Sequence, residues 1–442
     1  MRHESLSSPP VHTALVILDG LGDRPHPQTR GISPVEAAST PNLDRLSTDG
    51  RLGDVVLIGP GIAPESDAGV LALLGYDPVR DSPGRGVLEA VGVGIPLEAG
   101  DVAFRLNFAT SDGAGVVQDS RVGRNLTTGE AQQLGHELSK ADLVAPEGIR
   151  AEVRATVGHR GVLWLSPRSG GPLSSNVSNS DPFYEKLGGM GQARRPADRH
   201  PLAVTPLDGS DAARRTASAT NQWLERSTAL LQGSSVNARR AVAGKLLANT
   251  VLIRNAGSLP DPPMVPFATR HGYAGAAVTE MPVERGIAKL LGLADLFVGP
   301  MGPDRDASLR ERAAVTRKAL AEHPFVYVHL KGPDEPGHDG EAVVKQEVIE
   351  ALDRSFFGPF LDGLDWATTR IAVTADHATP CLLKGHSDDP VPLVIRGAGV
   401  TAERRSETGD VKFCERSAGS GSLGHLRGHD VLRLLGSWPG PA

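Results

Sequence analysis

The sequence predicts an α/β fold, a mostly parallel sheet with helices on both faces, interrupted by an inserted α+β domain. Three observations predict it. Short apolar runs such as Ala14 to Leu18, Phe325 to Leu330 and Ile371 to Thr374 read as strands buried on both faces. Segments with helical apolar spacing separate such runs, and strands alternating with helices argue for parallel pairing. Between about Gly100 and Leu259 the chain changes character, to Arg-rich and Gly/Ser-rich stretches.

In chain order, Val11 to Leu18 is the first strand. Thr40-Pro41 gives a helix start, with Thr as N-cap and Pro in the first turn, leading into Asn42 to Asp49. Val55 to Ile58 is a second strand. Ser66-Asp67 caps a helix that runs through Leu71, Leu73 and Leu74 and stops at Gly75. Strand-like pieces at Val102 to Phe108 and Val162 to Leu165 belong to the insert. Gly86 to Gly100 holds its outgoing linker, and the Pro-rich stretch Pro260 to Pro266 its return. Beyond it, Ala342 to Leu361 has helical spacing between the strands Phe325 to Leu330 and Ile371 to Thr374, and Pro392 to Ile395 adds another strand. A chain of 442 residues exceeds the usual single-domain size. The expected division is 1–95 and 269–442 for the first domain and 96–268 for the insert.

Composition narrows the function. A net charge of −6, with no basic run interleaved with aromatics, gives no support for nucleic-acid binding. Two cysteines, Cys381 and Cys414, cannot form a disulfide framework and suit a reducing compartment. Met1 to Pro10 lacks the apolar core of a signal peptide, and no apolar stretch approaches a membrane span. A cytoplasmic protein without membrane association is expected. Oligomeric state is not legible.

Chemistry concentrates at strand ends. Asp19, Asp334 and Asp376 each fall just beyond an apolar run, where ligands sit in parallel α/β sheets. His338, His377 and His386 accompany them, and Ser66 stands at the head of a helix. Alone, such an aspartate caps a loop, such a histidine is a surface or core residue and Ser66 is an N-cap. As an ordered set they read differently. Carboxylates mixed with imidazoles suit Mn²⁺ or Zn²⁺ better than Ca²⁺. Three aspartates, three histidines and a hydroxyl exceed one tetrahedral ion and fit a two-metal site. That is the pattern of a dinuclear phosphoryl-transfer enzyme. His12, His26, His271, His425 and His429 are expected to be structural, Cys381 a packed thiol, and Ser417 to Gly424 a flexible loop.

The segments Val16 to Asp23, Ser66-Asp67, Leu74-Gly75-Tyr76-Asp77-Pro78, Gly84-Arg85-Gly86, Gly332-Pro333-Asp334-Glu335, Asp376-His377 and His386 to Pro392 resemble cofactor-independent phosphoglycerate mutases of the archaeal type, members of the alkaline phosphatase superfamily. The resemblance runs from about Thr13 to Leu435. It implies that Ser66 is a nucleophile, transiently phosphorylated. Asp19, Ser66, Asp376 and His377 would hold one divalent ion, and Asp334, His338 and His386 another, usually Mn²⁺, with Zn²⁺ or Mg²⁺ as alternatives. The implied reaction interconverts 3-phosphoglycerate and 2-phosphoglycerate. The substrate would then be a small phosphorylated carboxylic acid. Guanidinium groups match carboxylate and phosphate bidentately, so Arg85, Arg121, Arg124, Arg160 and Arg254, with His159, are its expected grip. Lys331, beside the metal motif, would reach a phosphoryl oxygen.

Some positions depart from the family pattern. After Ser66 that pattern reads Asp-Thr-Ala-His, whereas this chain has Asp67-Ala68-Gly69-Val70. In the insert, Ser-Asp-Asn-Ile-Ser-Asp-Thr-Asp-Pro-His becomes Ser174 to Phe183, with Ser175, Asn179 and Phe183 replacing two acids and a histidine. Two alternatives therefore stand beside the mutase: a specialised relative that moves phosphoryl or phosphonyl groups in secondary metabolism, and a metal-dependent phosphomonoesterase.

Overall fold

The computed structural model describes residues 11–140, 148–194, 196–403 and 411–437. Met1 to Pro10, read above for targeting signals, lies outside the described residues. The chain divides into two compact units, Met1–Pro78 with Val265–Ala442, and Val79–Met264.

The first unit is built on an eight-stranded sheet. Its order is Ala294–Phe297, Ala276–Thr279, Phe325–Leu330, His12–Leu18, Thr369–Thr374, Val391–Gly397, Arg51–Val56 and Gly424–Arg427. The first five strands are mutually parallel, Val391–Gly397 runs antiparallel to both its neighbours, and the last two pair in parallel. The α/β class with a mostly parallel sheet is thus observed. The core strands are buried along nearly their whole length, as their unbroken apolar runs require. Register sets the site: Leu18 lies beside Leu330 and Ile17 beside Thr374. The carboxyl ends of the three central strands are therefore level, and Asp19, Lys331 and Asp376 emerge at one edge.

Several local expectations are corrected. Ser66 is the first residue of its helix, Ser66–Leu73, and Glu65 occupies the N-cap without a side-chain bond. The second strand is Arg51–Val56 rather than Val55 to Ile58. Thr40 does precede a helix, Pro41–Thr48, but its hydroxyl donates to Asp44 Oδ1 at 3.1 Å instead of capping. Ala342 to Leu361 is three pieces, the helices Ala342–Leu352 and Gly358–Leu361 around a π-turn at Asp353–Phe357. Asp353 is buried and accepts from the backbone of Asn42 and Leu43, which anchors the break. Gly86 to Gly100 is no open linker, because it carries most of the helix Arg85–Gly92. Gly86 is there for close approach: a Cβ would lie 2.2 Å from the Ala103 carbonyl oxygen.

The second unit is α+β. Its five-stranded antiparallel sheet centres on Val102–Ser111, which pairs with Arg160–Pro167, Thr250–Gly257 and Val117–Asp119. Ile149–Ala155 extends it, and a hairpin pairs Tyr184–Leu187 with Met190–Ala193. Phe104, Leu106 and Phe108 pack with Trp223 of the long helix Asp211–Gln232 in one buried cluster.

Back in the first unit, a buried ion pair ties the site loops together. Lys345 Nζ bonds Asp23 Oδ2 at 2.9 Å, and both side chains are 0% exposed. The same ammonium donates to the Gly22 and Thr379 carbonyls at 3.1 and 3.0 Å. It thereby links the turns after His12–Leu18 and Thr369–Thr374. Truncating one member of a buried pair strands the other's charge, so Lys345→Ala is expected to lower stability by about 3–5 kcal/mol. Urea melts check this; a loss under ~1 kcal/mol would mean that water replaces the ammonium without cost.

Candidate active site

The carboxyl edge of the sheet gathers two ligand groups. Asp334, His338 and His386 form one, and Asp19, His329 and Asp376 the other, the ligand atoms within each lying within 4.8 Å of one another. In the first, Asp334 and His338 sit one turn apart on the short helix Asp334–Asp339. His338 Nε2 and His386 Nε2 lie 3.5 and 3.4 Å from Asp334 Oδ1. Their Nδ1 atoms face backbone carbonyls, Lys384 at 3.3 Å and Pro64 at 2.7 Å. Those carbonyls accept a hydrogen bond from Nδ1–H and leave each Nε2 lone pair turned inward.

The second group surrounds Ser66. Its Oγ lies 3.4 Å from Asp19 Oδ1 and 3.3 Å from His377 Nε2. His377 Nε2 is also 3.5 Å from Asp19 Oδ1 and 3.6 Å from Asp376 Oδ2. Asp376 Oδ1 accepts from the Gly20 N–H at 3.0 Å, while Oδ2 is buried with no aligned hydrogen bond and faces the His329 and His377 imidazoles at 3.3 and 3.6 Å. An orphaned buried carboxylate oxygen is costly unless a cation completes it. The donor set fits divalent ions on that ground.

His329 was not anticipated. It is buried in Phe325–Leu330, with Nε2 3.3 Å from Asp376 Oδ2 and 3.7 Å from Asp19 Oδ1. Its Nδ1 meets the Tyr327 hydroxyl at 2.9 Å. Lys331 bonds Glu284 Oε1 at 2.9 Å and Asp19 Oδ2 at 3.3 Å, and Glu284 is wholly buried. One sequence signal existed: Tyr327, His329 and Lys331 alternate along a strand whose other face is Val326, Val328 and Leu330. Glu284 has no such signal, because it lies on a separate helix, Pro282–Leu291.

The electrostatics follow from this crowding. Burial opposes ionisation of Asp19, yet the Lys331 ammonium and bonds from His329 and His377 hold it well below the usual carboxylate range. Burial opposes Asp334 likewise, and His338 and His386 outweigh it. His377 rises to about 8 and His329 to about 9, because carboxylates, Asp376 first, overcome the burial that favours their neutral forms. Protonated imidazoles balance the acids here, a role open to bound dications.

The expected substrate residues other than Lys331 lie in the second unit. Arg85 and Arg105 converge on buried Glu89 at 3.0 and 2.6 Å. Burial opposes the Glu89 charge, but Arg105, Arg85 and Arg160 hold its carboxyl low. Arg105, which sequence reasoning missed, is pushed down to about 9 by burial and by Arg85. Arg254 bonds Asp181 Oδ2 at 3.0 Å and lies 3.6 Å over the Tyr184 ring. His159 is pushed down to about 2 by burial and by Arg160, Arg105, Arg121 and Arg124, and so stays neutral. The unit thus brings Arg85, Arg105, Arg121, Arg124, Arg160 and Arg254 into one electrostatic neighbourhood.

Positions that depart from the family pattern have structural work. Val70 is buried in the Ser66 helix. Asn179 accepts from the Asn255 N–H at 2.9 Å and donates to the Tyr184 carbonyl at 3.1 Å. Phe183 packs against Ala109, Val117 and Leu252.

Fold and site together define an α/β enzyme with its polar machinery at the carboxyl edge of a parallel sheet. Comparison with known proteins makes this specific. The sequence model of 2,3-bisphosphoglycerate-independent phosphoglycerate mutase matches residues 47–237. Proteins of that name from Aeropyrum pernix and Methanopyrus kandleri are 43% and 37% identical, over 93% and 95% of this chain and 96% and 94% of their own. Solved structures agree. A Pyrococcus horikoshii protein superposes with a TM-score of 0.73 at 30% identity, covering 96% of both chains. The cofactor-independent phosphoglycerate mutase of Thermoplasma acidophilum gives 0.58 at 30%, covering 96% of this chain and 98% of its own. The chain belongs to the 2,3-bisphosphoglycerate-independent phosphoglycerate mutase family. Among the described residues no helix is long and apolar enough to cross a membrane.

Proposed function

We propose that this protein interconverts 3-phosphoglycerate and 2-phosphoglycerate by passing the phosphoryl group through Ser66. The observation that carries the reading is the position of Ser66 Oγ, at a helix start and within 3.4 Å of both Asp19 and His377. The full-length likeness to relatives named as mutases supports it. Asp19, Ser66, Asp376 and His377 would hold one divalent ion, and Asp334, His338 and His386 the other. Mn²⁺ is the first choice, with Zn²⁺ and Mg²⁺ as alternatives. Bound there, two dications would acidify the serine hydroxyl and neutralise phosphoryl oxygens. His329 is a weaker ligand candidate than His377, because Lys331 Nζ lies 3.5 Å from its Nε2 and would repel a cation there.

The chain's own residues then divide the work. Ser66 Oγ gives up its proton and attacks phosphorus, forming the Oγ–P bond as the bond to the glycerate oxygen breaks and that oxygen takes up a proton. The neighbouring glycerate hydroxyl next gives up its proton and attacks phosphorus, and the Oγ–P bond breaks as Ser66 Oγ takes a proton back. The first turn of Ser66–Leu73 favours the anion through its backbone N–H groups and dipole. Arg85, Arg121, Arg124, Arg160 and Arg254 are the candidates for holding the substrate's charged groups, with neutral His159 as a hydrogen-bond partner. With such a reaction a cytoplasmic, glycolytic role is part of the proposal.

A coupled enolase assay on Mn²⁺-loaded protein with 3-phosphoglycerate, run beside a free-phosphate assay, tests the reading. Formation of 2-phosphoglycerate without phosphate release is expected. Phosphate release alone would make the protein a phosphomonoesterase. Neither product from folded, metal-bound protein would point to another acceptor, in keeping with the departures at Val70, Ser175, Asn179 and Phe183.

A further inference from the structure

The geometry points to Thr379 as a positioning residue that couples the two metal positions, an inference that rests on the ligand assignment above. Its hydroxyl touches one ligand from each group. Thr379 Oγ1 lies 2.7 Å from Asp334 Oδ1 and 3.0 Å from His377 Nδ1, and the residue is wholly buried. A threonine hydroxyl carries one proton. Two oxygens 2.7 Å apart need a proton between them, and a ligating carboxylate has none to give. Thr379 therefore donates to Asp334 and accepts from the Nδ1–H of His377. That arrangement fixes the His377 tautomer and turns its Nε2 lone pair toward Ser66, Asp19 and Asp376.

His338 and His386 solve the same problem with backbone carbonyls. Of the three histidines proposed as ligands, His377 is the one held by a side chain that also holds a ligand of the other group. The hydroxyl is locked in place. The Thr379 N–H donates to the Gly22 carbonyl at 2.9 Å, and its own carbonyl accepts from Lys345 Nζ at 3.0 Å. Two glycines leave room for both branches of the side chain. A Cβ at Gly20 would lie 2.7 Å from Thr379 Oγ1, and one at Gly337 would lie 2.9 Å from Thr379 Cγ2. At Gly20 the positive φ of 62° adds a second reason for glycine. The backbone on both sides of the residue is thus fixed, and the hydroxyl sits between Asp334 and His377 with a hydrogen bond to each.

Mn²⁺ titration, followed by the paramagnetic resonance signal of free Mn²⁺, reads stoichiometry and affinity directly. Wild-type protein is expected to bind two ions per chain. Thr379→Val keeps the shape and removes the hydroxyl, and should weaken both sites by roughly ten- to a hundredfold. Thr379→Ser restores the hydroxyl and should bind within about threefold of wild type at both sites, well inside that range. Unchanged affinity in Thr379→Val, or weakening at one site alone, overturns the coupling. Equal losses in the Val and Ser variants also overturn it, because packing would then be the cause. Should Thr379→Val fail to fold, Thr379→Ala carries the same expectation. A wild-type protein that binds fewer than two ions sinks the ligand assignment instead, which separates the two failures.

Discussion

Ser66→Ala is expected to lower phosphoglycerate interconversion by roughly a thousand- to a millionfold while leaving the protein folded. The rate loss is large because no other hydroxyl stands at a helix start beside these carboxylates among the site residues described above. Stability should hold because Ser66 Oγ makes two long contacts, 3.3 and 3.4 Å, and the helix takes no cap from it. Losing them should cost under about 0.5 kcal/mol, and alanine has the better helix propensity. Two measurements check the expectation. The coupled enolase assay reads the rate, and mass spectrometry of protein quenched in mixed phosphoglycerates reads phosphate on the Ser66 peptide. Wild-type protein should carry that phosphate and the variant should not. A variant that retains more than a few per cent of wild-type turnover would place the nucleophile elsewhere.

Much of this site was legible because its chemistry is local. Asp19, Asp334 and Asp376 each follow a run of apolar residues, and a run buried on both faces has few ways to end other than at the sheet's carboxyl edge. The spacing of Asp334 and His338 survives in the structure as one helical turn. What the sequence hid depends on tertiary approach. His329 shares one face of its strand with Tyr327 and Lys331, a local alternation that hints at a polar face but does not say that the face meets two aspartates. Glu284 and Lys331 meet only because Ala276–Thr279 pairs beside Phe325–Leu330. Arg105 lies mid-strand and gained its partner from the helix Arg85–Gly92, most of which falls in the segment Gly86 to Gly100 read as holding a linker. At Gly86 the glycine instead lets the helix touch the strand. The same confusion applies to Ser417 to Gly424: the loop reading missed the short helix Glu415–Gly419 and the edge strand that begins at Gly424.

Gly69→Ala sets local preference against tertiary packing, and packing is expected to win. By helix propensity the change should stabilise Ser66–Leu73 by up to about 1 kcal/mol. The backbone at Asp376 forbids it. A Cβ on Gly69 would lie 1.9 Å from the Asp376 carbonyl oxygen and 2.8 Å from its carbonyl carbon. Neither atom is the end of a flexible side chain, so either the helix or the Asp376 loop must move. Overpacking of this kind costs about 1–3 kcal/mol, which outweighs the propensity gain. The functional cost should be larger than the thermodynamic one. Ser66 is three residues from Gly69 on the same short helix, so a shift that relieves Asp376 also moves Oγ away from Asp19 and His377. A displacement near 1 Å at a reacting group costs about a hundredfold. The loss should appear in kcat, with KM close to wild type, because the arginines proposed to hold substrate lie in the other unit. Steady-state kinetics beside a thermal melt decide between the two forces. A variant that melts higher and turns over normally would show that the helix can back away from Asp376 without carrying Ser66 with it.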